Sequence, residues 1–283
     1  VDVESGGGVQ LPAQFHAVHG PALVPDPPSQ TGDQFHFQTG EQMLIDAGIG
    51  PRTIKKRLLE HGIAIESVDF ILVTHDHIDH IKGLGMVAQK FYKPVYATEK
   101  LHASLDNHPC TRCHLSGCVR STVAGEPSSY KGVTFIPFVV PHDATETVGY
   151  FIDFYGVKIT FLTDVGEVTD DVVKYCSLSD YVVFESNYDL DMLLGGPYSP
   201  ELKVRIMQGH GHLSNEQAAS AVKRFWHKGL THLFLCHLSE NNNTPGTAYN
   251  CIQKGLKSIG VEPGADIELV CLPRKCISEL YEF

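Results

Sequence analysis

Residues 71–83, ILVTHDHIDHIKG, concentrate side chains that bind metal ions directly after an apolar run. Three histidines and two aspartates fall within six positions: His75, Asp76, His77, Asp79 and His80. A strand that ends at Thr74 would deliver the histidines and Asp79 into one tight loop, before a helix that opens near Ile81. Imidazole and carboxylate groups suit Zn²⁺ or a neighbouring first-row ion, and this spacing lets two ligands serve one metal and two another. A solvated polar turn would not explain such density, so the segment predicts a metal-binding loop.

Two metals need further ligands, and polar residues at the ends of three later strand-like runs are candidates. His142 follows FIPFVVP, Asp164 follows ITFLT, and His237 follows LFLC. Taken singly, such a residue is more often a hydrogen-bonded structural group than a ligand. Together with the histidine loop, the three residues indicate a dinuclear site.

Hydrophobic periodicity along the chain predicts a layered α/β domain. Strand character is found at 68–74, 94–98, 133–141, 148–154, 157–163, 181–186, 232–237 and 267–272, and helical spacing at 51–61, 214–228 and 245–259. Residues 155–156, Tyr-Gly, between two alternating runs predict a hairpin. Ser214 or Asn215, with an acidic and an amide residue behind it, predicts a helix start.

Length and composition bound the class of protein. With 283 residues, 42% apolar and 19% charged, the chain is typical of a globular protein. We expect a single domain over 41–283, after an N-terminal arm or first strands over 1–40. No apolar run approaches the roughly 20 residues of a membrane helix, and no secretory signal is readable, which predicts a cytoplasmic location without a membrane partner. Eight cysteines scattered from Cys110 to Cys276 predict reduced thiols.

The formal net charge of −11 argues against nucleic-acid binding through a broad basic face, because such binding depends on neutralising phosphates. Two divalent metals would add about +4, which leaves room for a locally positive cleft. The compact basic groups RTIKKR (52–57) and KRFWHK (223–228) could contact a phosphate backbone, although such runs are more often solvated helix faces. Ser239 and residues 241–243 could donate hydrogen bonds to phosphates or sugars, with a plain polar loop as the alternative.

Five short motifs resemble those of the metallo-β-lactamase fold. LIDAG, THDHIDH, PHD, LTD and CHLS occur in that order over about residues 42–240. More narrowly, VGYFID, VVFESNYDLDMLLGGPYSPELKVRI, GHGHLSN and CHLSENNNTP resemble the YycJ/WalJ-type branch of single-domain metallo-hydrolases, which is regarded as nuclease-like. The resemblance implies an αββα four-layer sandwich with a dinuclear site at the edge between its two sheets.

The resemblance also assigns roles residue by residue. It implies His75, His77 and His142 on the first metal, Asp79, His80 and His237 on the second, and Asp164 between both with a bridging hydroxide. Asp79 is counted among the catalytic residues as well, and Asp46 is expected to orient the histidine loop by hydrogen bonding from outside the ligand set. Asp76 is an expected non-ligand. The Ser/Gly/Asn-rich loop that normally follows the first strand of this branch is not evident within residues 1–40.

GHGHLSNEQAA, residues 209–219, resembles the histidine segment of the transfer-RNA 3′-processing endonucleases of the same superfamily. The matching histidine is His212, and the glutamate with which it pairs in those enzymes corresponds to Glu185. We hypothesise that Glu185 holds His212, which stabilises the scissile phosphate or protonates the leaving oxygen. The alternatives are that His210 and His212 cap a helix near Ser214 and that Glu185 is an ordinary buried carboxylate.

HPCTRCHLSGC, residues 108–118, is a second segment rich in metal-binding side chains. Cys110, Cys113 and Cys118 could bind a structural zinc, with His108 or His114 as the fourth ligand. The string C-x-x-C-H is also that of haem c attachment, which would need export and a haem pocket. A loop with unpaired thiols is the preferred interpretation.

The predicted chemistry is hydrolysis by a dinuclear metal site, with Zn²⁺ or Mn²⁺ as the ions and Fe²⁺ equally suited to the ligands. The preferred function is a phosphodiesterase or nuclease acting on nucleic acid. The alternative is a thioester or lactone hydrolase of the glyoxalase II kind, which the negative charge favours. An iron-based redox or sensor protein without turnover is a third class, and a β-lactamase is the weakest.

Overall fold

The computed structural model describes residues 16–19, 41–274, 278 and 281, and these residues form two β-sheets flanked by helices. The strands are β1 His16–His19, β2 Gln42–Ile45, β3 Phe70–Leu72, β4 Val95–Thr98, β5 Val119–Thr122, β6 Ser128–Tyr130, β7 Val133–Val140, β8 Thr147–Phe154, β9 Val157–Phe161, β10 Tyr181–Glu185, β11 His232–Cys236 and β12 Glu268–Cys271. The α-helices are α1 Pro51–Glu60, α2 Ile78–Ile81, α3 Leu84–Phe91, α4 Glu99–Leu105, α5 Asp170–Cys176, α6 Leu190–Gly195, α7 Pro200–Met207, α8 Asn215–Phe225 and α9 Pro245–Lys257.

The first sheet has the strand order β1-β2-β3-β4-β5, and the second has the order β12-β11-β10-β9-β8-β7-β6. In the first sheet β1 is antiparallel to β2, and the remaining neighbours are parallel. In the second sheet β9 to β12 are parallel, and β6 to β9 are antiparallel. Parallel neighbours need crossover connections, which the helices supply.

Three apolar clusters separate four layers. Between the sheets, Phe70 of the first sheet packs with Phe135 and Tyr150 of the second. Helices α1, α3 and α4 cover the outer face of the first sheet, and α5, α8 and α9 cover that of the second. Strand β3 is buried at every position, as expected for a parallel strand covered on both faces. The αββα four-layer sandwich predicted from the sequence is confirmed.

Each of the eight predicted strands is present, and so are the three predicted helices. The predicted hairpin joins β8 to β9, with positive φ at Tyr155 (54°) and Gly156 (97°). Ser214 begins α8 through a capping box with Gln217. Strands β2, β5 and β6 were not predicted. Each has only three or four residues, too few to show apolar alternation, and the first three residues of β5 are also exposed.

One boundary in the histidine loop differs from the prediction. The helix expected near Ile81 begins at Ile78, after His77 as its N-cap. Asp79 and His80 therefore lie within a helical turn rather than in an irregular loop. The turn has four residues, which is too short to leave a helical period in the sequence.

The prediction for residues 1–40 falls mainly on 1–15 and 20–40, which lie outside the described residues. Residues 16–19 form β1, which pairs with β2 at the edge of the first sheet. The single domain over 41–283 stays a prediction. None of the helices in the described part of the chain combines the length and the apolar character needed to cross a membrane.

Candidate metal site

The polar residues predicted at strand ends meet at one edge of the sandwich. His142 follows β7, Asp164 follows β9 and His237 follows β11, all in the second sheet, while the histidine loop follows β3 of the first sheet. A hydrogen bond from Val148 N to Thr74 O, 2.9 Å, joins the two sheets beside the loop. The site is therefore assembled from both sheets, where their strands end.

Three residues of this edge have left-handed backbone conformations. Asp46 has φ 59°, Asp164 has φ 54° and His237 has φ 55°. Non-glycine residues seldom adopt this region, and its cost is tolerated mainly where a side chain must point in a particular direction. All three side chains contact histidines or aspartates that meet at this edge.

The side chains form four overlapping groups whose ligand atoms lie within 4.8 Å of one another. The groups are His75, His77 and His142; Asp79, His80 and His237; His75, His80 and Asp164; and Asp164, Glu185, His212 and His237. The first two groups have the same members as the triads that the resemblance implies for each metal, and Asp164 joins the others. All seven predicted ligands are brought together, and their role as ligands stays a prediction.

Asp164 lies at the centre of the cluster. Its Oδ2 is 3.2 Å from Nε2 of His80, and its Oδ1 is 3.5 Å from Nε2 of His142 and 3.4 Å from Nε2 of His237. Burial would raise the pKa of this carboxyl, but the charges of His237 and His80 hold it well below its usual range. Asp164 is therefore ionised and faces ligands predicted for both metals.

Four of the histidines are oriented by a contact at Nδ1, which leaves Nε2 toward the cluster. The Nδ1 partners are Thr74 Oγ1 for His75 (3.0 Å), Asp46 Oδ2 for His80 (2.7 Å), Gly211 O for His142 (2.9 Å) and Glu185 Oε1 for His237 (2.7 Å). His77 is reversed, because its Nε2 contacts Asp143 O at 3.2 Å. Such outer contacts fix the tautomer and the ring orientation of metal-binding histidines.

Two imidazole nitrogens of the cluster make no hydrogen bond to the described residues. Nε2 of His75 and Nε2 of His142 are buried without a hydrogen bond. Burial, followed by the charge of His80, lowers the pKa of His75 well below its usual value, and burial also lowers the pKa of His142. Neutral imidazoles with unsatisfied inward nitrogens are suited to binding a divalent cation, so the residues fit the metals that the fold implies.

Asp46 makes the contacts expected of a residue that orients the histidine loop. Its Oδ1 accepts from Thr74 N (2.8 Å), and its Oδ2 accepts from Thr74 Oγ1 (2.6 Å) and faces His80 Nδ1 (2.7 Å). Burial opposes protonation of His80, but the charges of Asp164 and Asp46 outweigh it and raise the pKa of His80 well above its usual value. Thr74 links Asp46 to His75 as well, a role that the sequence analysis missed.

Glu185 is completely buried and holds two histidines at once. Its Oε1 lies 2.9 Å from His212 Nδ1 and 2.7 Å from His237 Nδ1, and its Oε2 accepts from Val165 N and Leu213 N, both at 3.0 Å. Burial opposes its charge, but His212 and His237 lower the pKa of Glu185 to about 2. The contact to His212 matches the sequence hypothesis, whereas the contact to His237 was not foreseen.

His212 lies at the rim of the cluster. Its ring centroid is 5.0 Å from that of His142 and 5.1 Å from that of His237. Burial opposes protonation, but the charge and hydrogen bond of Glu185 raise the pKa of His212 to about 9. The alternative that His210 and His212 cap the following helix is wrong, because Ser214 caps α8 with its own side chain.

Other candidates from the sequence lie outside the cluster. Asp76 accepts hydrogen bonds from Ser104 Oγ and from Thr145 N and belongs to none of the four ligand groups. Asn243 is buried and donates to Ser186 O (2.9 Å), so it supports the strand end rather than facing solvent. In the two basic segments, Lys55 pairs with Glu66, Lys56 with Glu60 and Arg224 with Asp170.

The cysteines of 108–118 do not converge, although all of this segment is described. Cys113 is exposed, Cys118 is buried with its thiol directed to Ala88 O (3.5 Å), and His114 Nδ1 contacts Gln89 Oε1 (2.7 Å). None of the four ligand groups includes a cysteine. The geometry favours a loop with unpaired thiols.

Comparison with known proteins agrees with this geometry. The family described as a β-lactamase superfamily domain matches residues 41–237. The chain is 33% identical over 245 residues to the exodeoxyribonuclease YycJ of Bacillus anthracis, covering 84% of this chain and 90% of that protein. It is 30% identical over 240 residues to the exodeoxyribonuclease WalJ of Streptococcus pneumoniae, covering 84% of this chain and 89% of that protein.

A solved structure supports the fold. The metallo-β-lactamase fold protein YhfI from Bacillus subtilis superposes with a TM-score of 0.59 at 15% identity, over 93% of this chain and 98% of that chain. The family match covers most of the chain, and the two sequence relatives are matched over nearly their full length. This chain therefore belongs to the metallo-β-lactamase superfamily, in the branch that contains YycJ and WalJ.

Proposed function

We propose that this protein is a metal-dependent nuclease that hydrolyses phosphodiester bonds of DNA. The observation that carries the proposal is the contact between His212 and Glu185 at the rim of the histidine and aspartate cluster. The contact places a group able to donate a proton beside the predicted metals. The leaving group of a phosphodiester needs such a proton donor. The two relatives named exodeoxyribonucleases support DNA as the substrate and cleavage from a strand end.

We infer that the metals are held as the resemblance implies. His75, His77 and His142 would hold the first ion, Asp79, His80 and His237 the second, and Asp164 both. Two divalent ions in such a site lower the pKa of a water nucleophile and stabilise the charge that develops on the phosphate. Zn²⁺ or Mn²⁺ is the proposed ion, and Fe²⁺ suits the same ligands.

The protein's own residues supply orientation and a proton. Glu185 holds His212 at Nδ1, which leaves the other ring nitrogen for the leaving oxygen of the substrate. The negative charge of Glu185 stabilises the protonated imidazole before the proton is given up. Because Oε1 of Glu185 also contacts His237, one carboxylate aligns the proton donor with a predicted metal ligand.

Hydrolysis assays with the metal-reconstituted protein test this proposal. The substrates are labelled single- and double-stranded DNA and RNA, bis-p-nitrophenyl phosphate and S-lactoylglutathione, with an H77A/D79A variant as the control. We expect DNA cleavage that is lost in the variant. Thioester turnover with inert phosphodiesters would instead support the glyoxalase II-like alternative.

Two further predictions accompany the proposal. The preferred interpretation of 108–118, a loop with unpaired thiols, predicts no more than two ions per chain. A count above two that falls to two in C110S/C113S would instead support a structural zinc at Cys110, Cys113 and Cys118. The cytoplasmic location likewise stays a prediction, which fractionation of expressing cells would test.

A further inference from the structure

Arg205 on α7 contacts the edge of the predicted metal site. Its Nε and Nη2 both contact Oδ2 of Asp143. Asp143 directly follows His142, and its Oδ1 lies 3.4 Å from His142 Nε2 and 3.9 Å from His77 Nε2. One carboxylate oxygen therefore faces the guanidinium, and the other faces ligands predicted for the first metal.

Backbone contacts also hold Arg205 at the edge of the predicted metal site. At Gly211 an added Cβ would lie 2.4 Å from Arg205 O and 2.1 Å from Ile206 O, so only glycine permits this approach. Gly211 O is the partner of His142 Nδ1 at 2.9 Å, and His212 N donates to Ile206 O at 2.9 Å. The C-terminal end of α7 is therefore hydrogen-bonded to the backbone of the predicted proton donor His212, and it packs against Gly211, which contacts the predicted ligand His142.

The helix itself has no role in the core. None of the residues of α7 is buried. The Arg205 side chain is 64% exposed, and its Nη1 makes no hydrogen bond to any described residue. Asp143 holds the guanidinium on one side, and the other side is open to solvent. The N–H groups on the open side lie in one plane and can donate together to the oxygens of a phosphate.

We propose that Arg205, held by Asp143, binds a phosphate of the DNA strand next to the scissile bond; this inference rests on the proposed function. Under this proposal the phosphate is bound by a single arginine at the site and not by the basic segments 52–57 and 223–228. In a chain with a net charge of −11, Arg205 offsets the charge of Asp143 at the site and so lowers the repulsion that an incoming strand meets. A purely structural Arg205 would instead support His77 and His142 through Asp143.

The test compares R205A with the wild type, both metal-loaded, on a DNA duplex and on bis-p-nitrophenyl phosphate. We expect the KM for DNA to rise by about 10- to 100-fold, as for a lost charge-assisted hydrogen bond, with kcat changed little. Bis-p-nitrophenyl phosphate has no neighbouring phosphate, so its kinetics should be unchanged, as should the bound metal. Binding of a phosphorothioate duplex, followed by fluorescence anisotropy, should show a salt slope smaller by about one.

Two further variants control the result. Arg205→Lys keeps the charge without the fork, so the salt slope should return while the KM for DNA stays raised. Lys257→Ala removes a cation paired with Glu262 (2.9 Å) at the far end of α9, and it should behave as the wild type. Helix α9 begins at Pro245, after the predicted ligand His237, and Lys257 lies about 18 Å further along the axis of the helix.

The inference is overturned if R205A binds and cleaves DNA as the wild type does. It is also overturned if R205A loses metal and both substrates equally, since Arg205 would then only support the metal site. A wild type that cleaves no DNA would contradict the proposed function itself. In that case the anisotropy measurement still decides the role of Arg205, because equal binding by both proteins rules out the phosphate contact.

Discussion

Two segments of this chain are dense in metal-binding side chains, and among the described residues only one of them joins side chains from other elements in a cluster. The loop after β3 joins residues from the ends of β7, β9 and β11 in one buried cluster. In the segment 108–118, Cys113 is exposed and Cys118 is buried against the backbone of α3. Two segments with similar densities of metal-binding residues therefore differ in the structure, because the side chains gather in one and stay apart in the other.

The difference teaches that a metal site needs convergence as well as density. The histidine loop lies where strands of both sheets end, so distant elements add ligands to it and supply the contacts that orient them. The cysteine segment is a run of turns between α4 and β5, and its side chains turn to separate neighbours. Variants in both regions test this difference, with the largest effect expected in the histidine and aspartate cluster and the smallest in the cysteine segment.

The largest effect is expected at Asp164, which lies at the centre of the histidine and aspartate cluster. Asp164→Asn keeps the shape of the side chain but removes the charge that faces Nε2 of three histidines. We expect loss of bound metal and a fall in kcat of about 10³-fold or more, since charge stabilisation by the metals is worth several kcal/mol. Elemental analysis and DNA cleavage measure both quantities.

Asp76→Asn is the matched control, because Asp76 is an aspartate of the histidine loop that lies outside the four ligand groups. It should keep both metals. Equal metal loss in the two variants would show that the loop responds to any lost charge rather than to the loss of a ligand.

His212→Ala should lower kcat on DNA by about 10²- to 10³-fold with metal content unchanged, because it removes the proposed proton donor. The effect on bis-p-nitrophenyl phosphate should be much smaller, since p-nitrophenolate leaves without needing a proton. Parallel kinetics on the two substrates give the comparison. An equal loss on both would mean that His212 stabilises the phosphate and does not protonate the leaving oxygen.

Thr74→Val should act through stability and metal affinity. It removes the hydroxyl that donates to Asp46 Oδ2 (2.6 Å) and contacts His75 Nδ1 (3.0 Å) inside the protein. Leaving buried polar atoms unpaired costs about 1–3 kcal/mol, which urea unfolding would measure. Thr74→Ser keeps the hydroxyl and should recover most of the loss; a Thr74→Val variant as stable as the wild type would mean that the hydrogen bonds of the hydroxyl contribute little.

The smallest effect is expected in the cysteine segment. The C110S/C113S variant should keep its metal content and change the free energy of unfolding by less than about 0.5 kcal/mol, as surface substitutions usually do. Elemental analysis against the wild type decides the point. Loss of one zinc per chain would mean that the segment binds a metal after all, and the contrast between the two segments would disappear.

Local sequence patterns alone predicted a layered α/β domain, eight of the strands and the seven residues of the histidine and aspartate cluster. Strands and amphipathic helices leave local periodic patterns, and ligand candidates stand out where such a pattern ends in a polar residue. Strands β2, β5 and β6 and the helical turn at Ile78 escaped because short or exposed elements leave no period. His212 and Glu185 came from resemblance, since no local pattern pairs residues 27 positions apart.

Tertiary structure alone decided which side chains face each other. Glu185 between His212 and His237, Thr74 between Asp46 and His75, and the contact of Arg205 with Asp143 depend on how distant segments cross. It also decided that the cysteines of 108–118 stay apart. The physical reason is that periodicity and turn chemistry act over a few neighbouring residues, whereas contacts such as that of His142 with Gly211, 69 positions away, arise only when the packed sheets bring their strand ends to one edge.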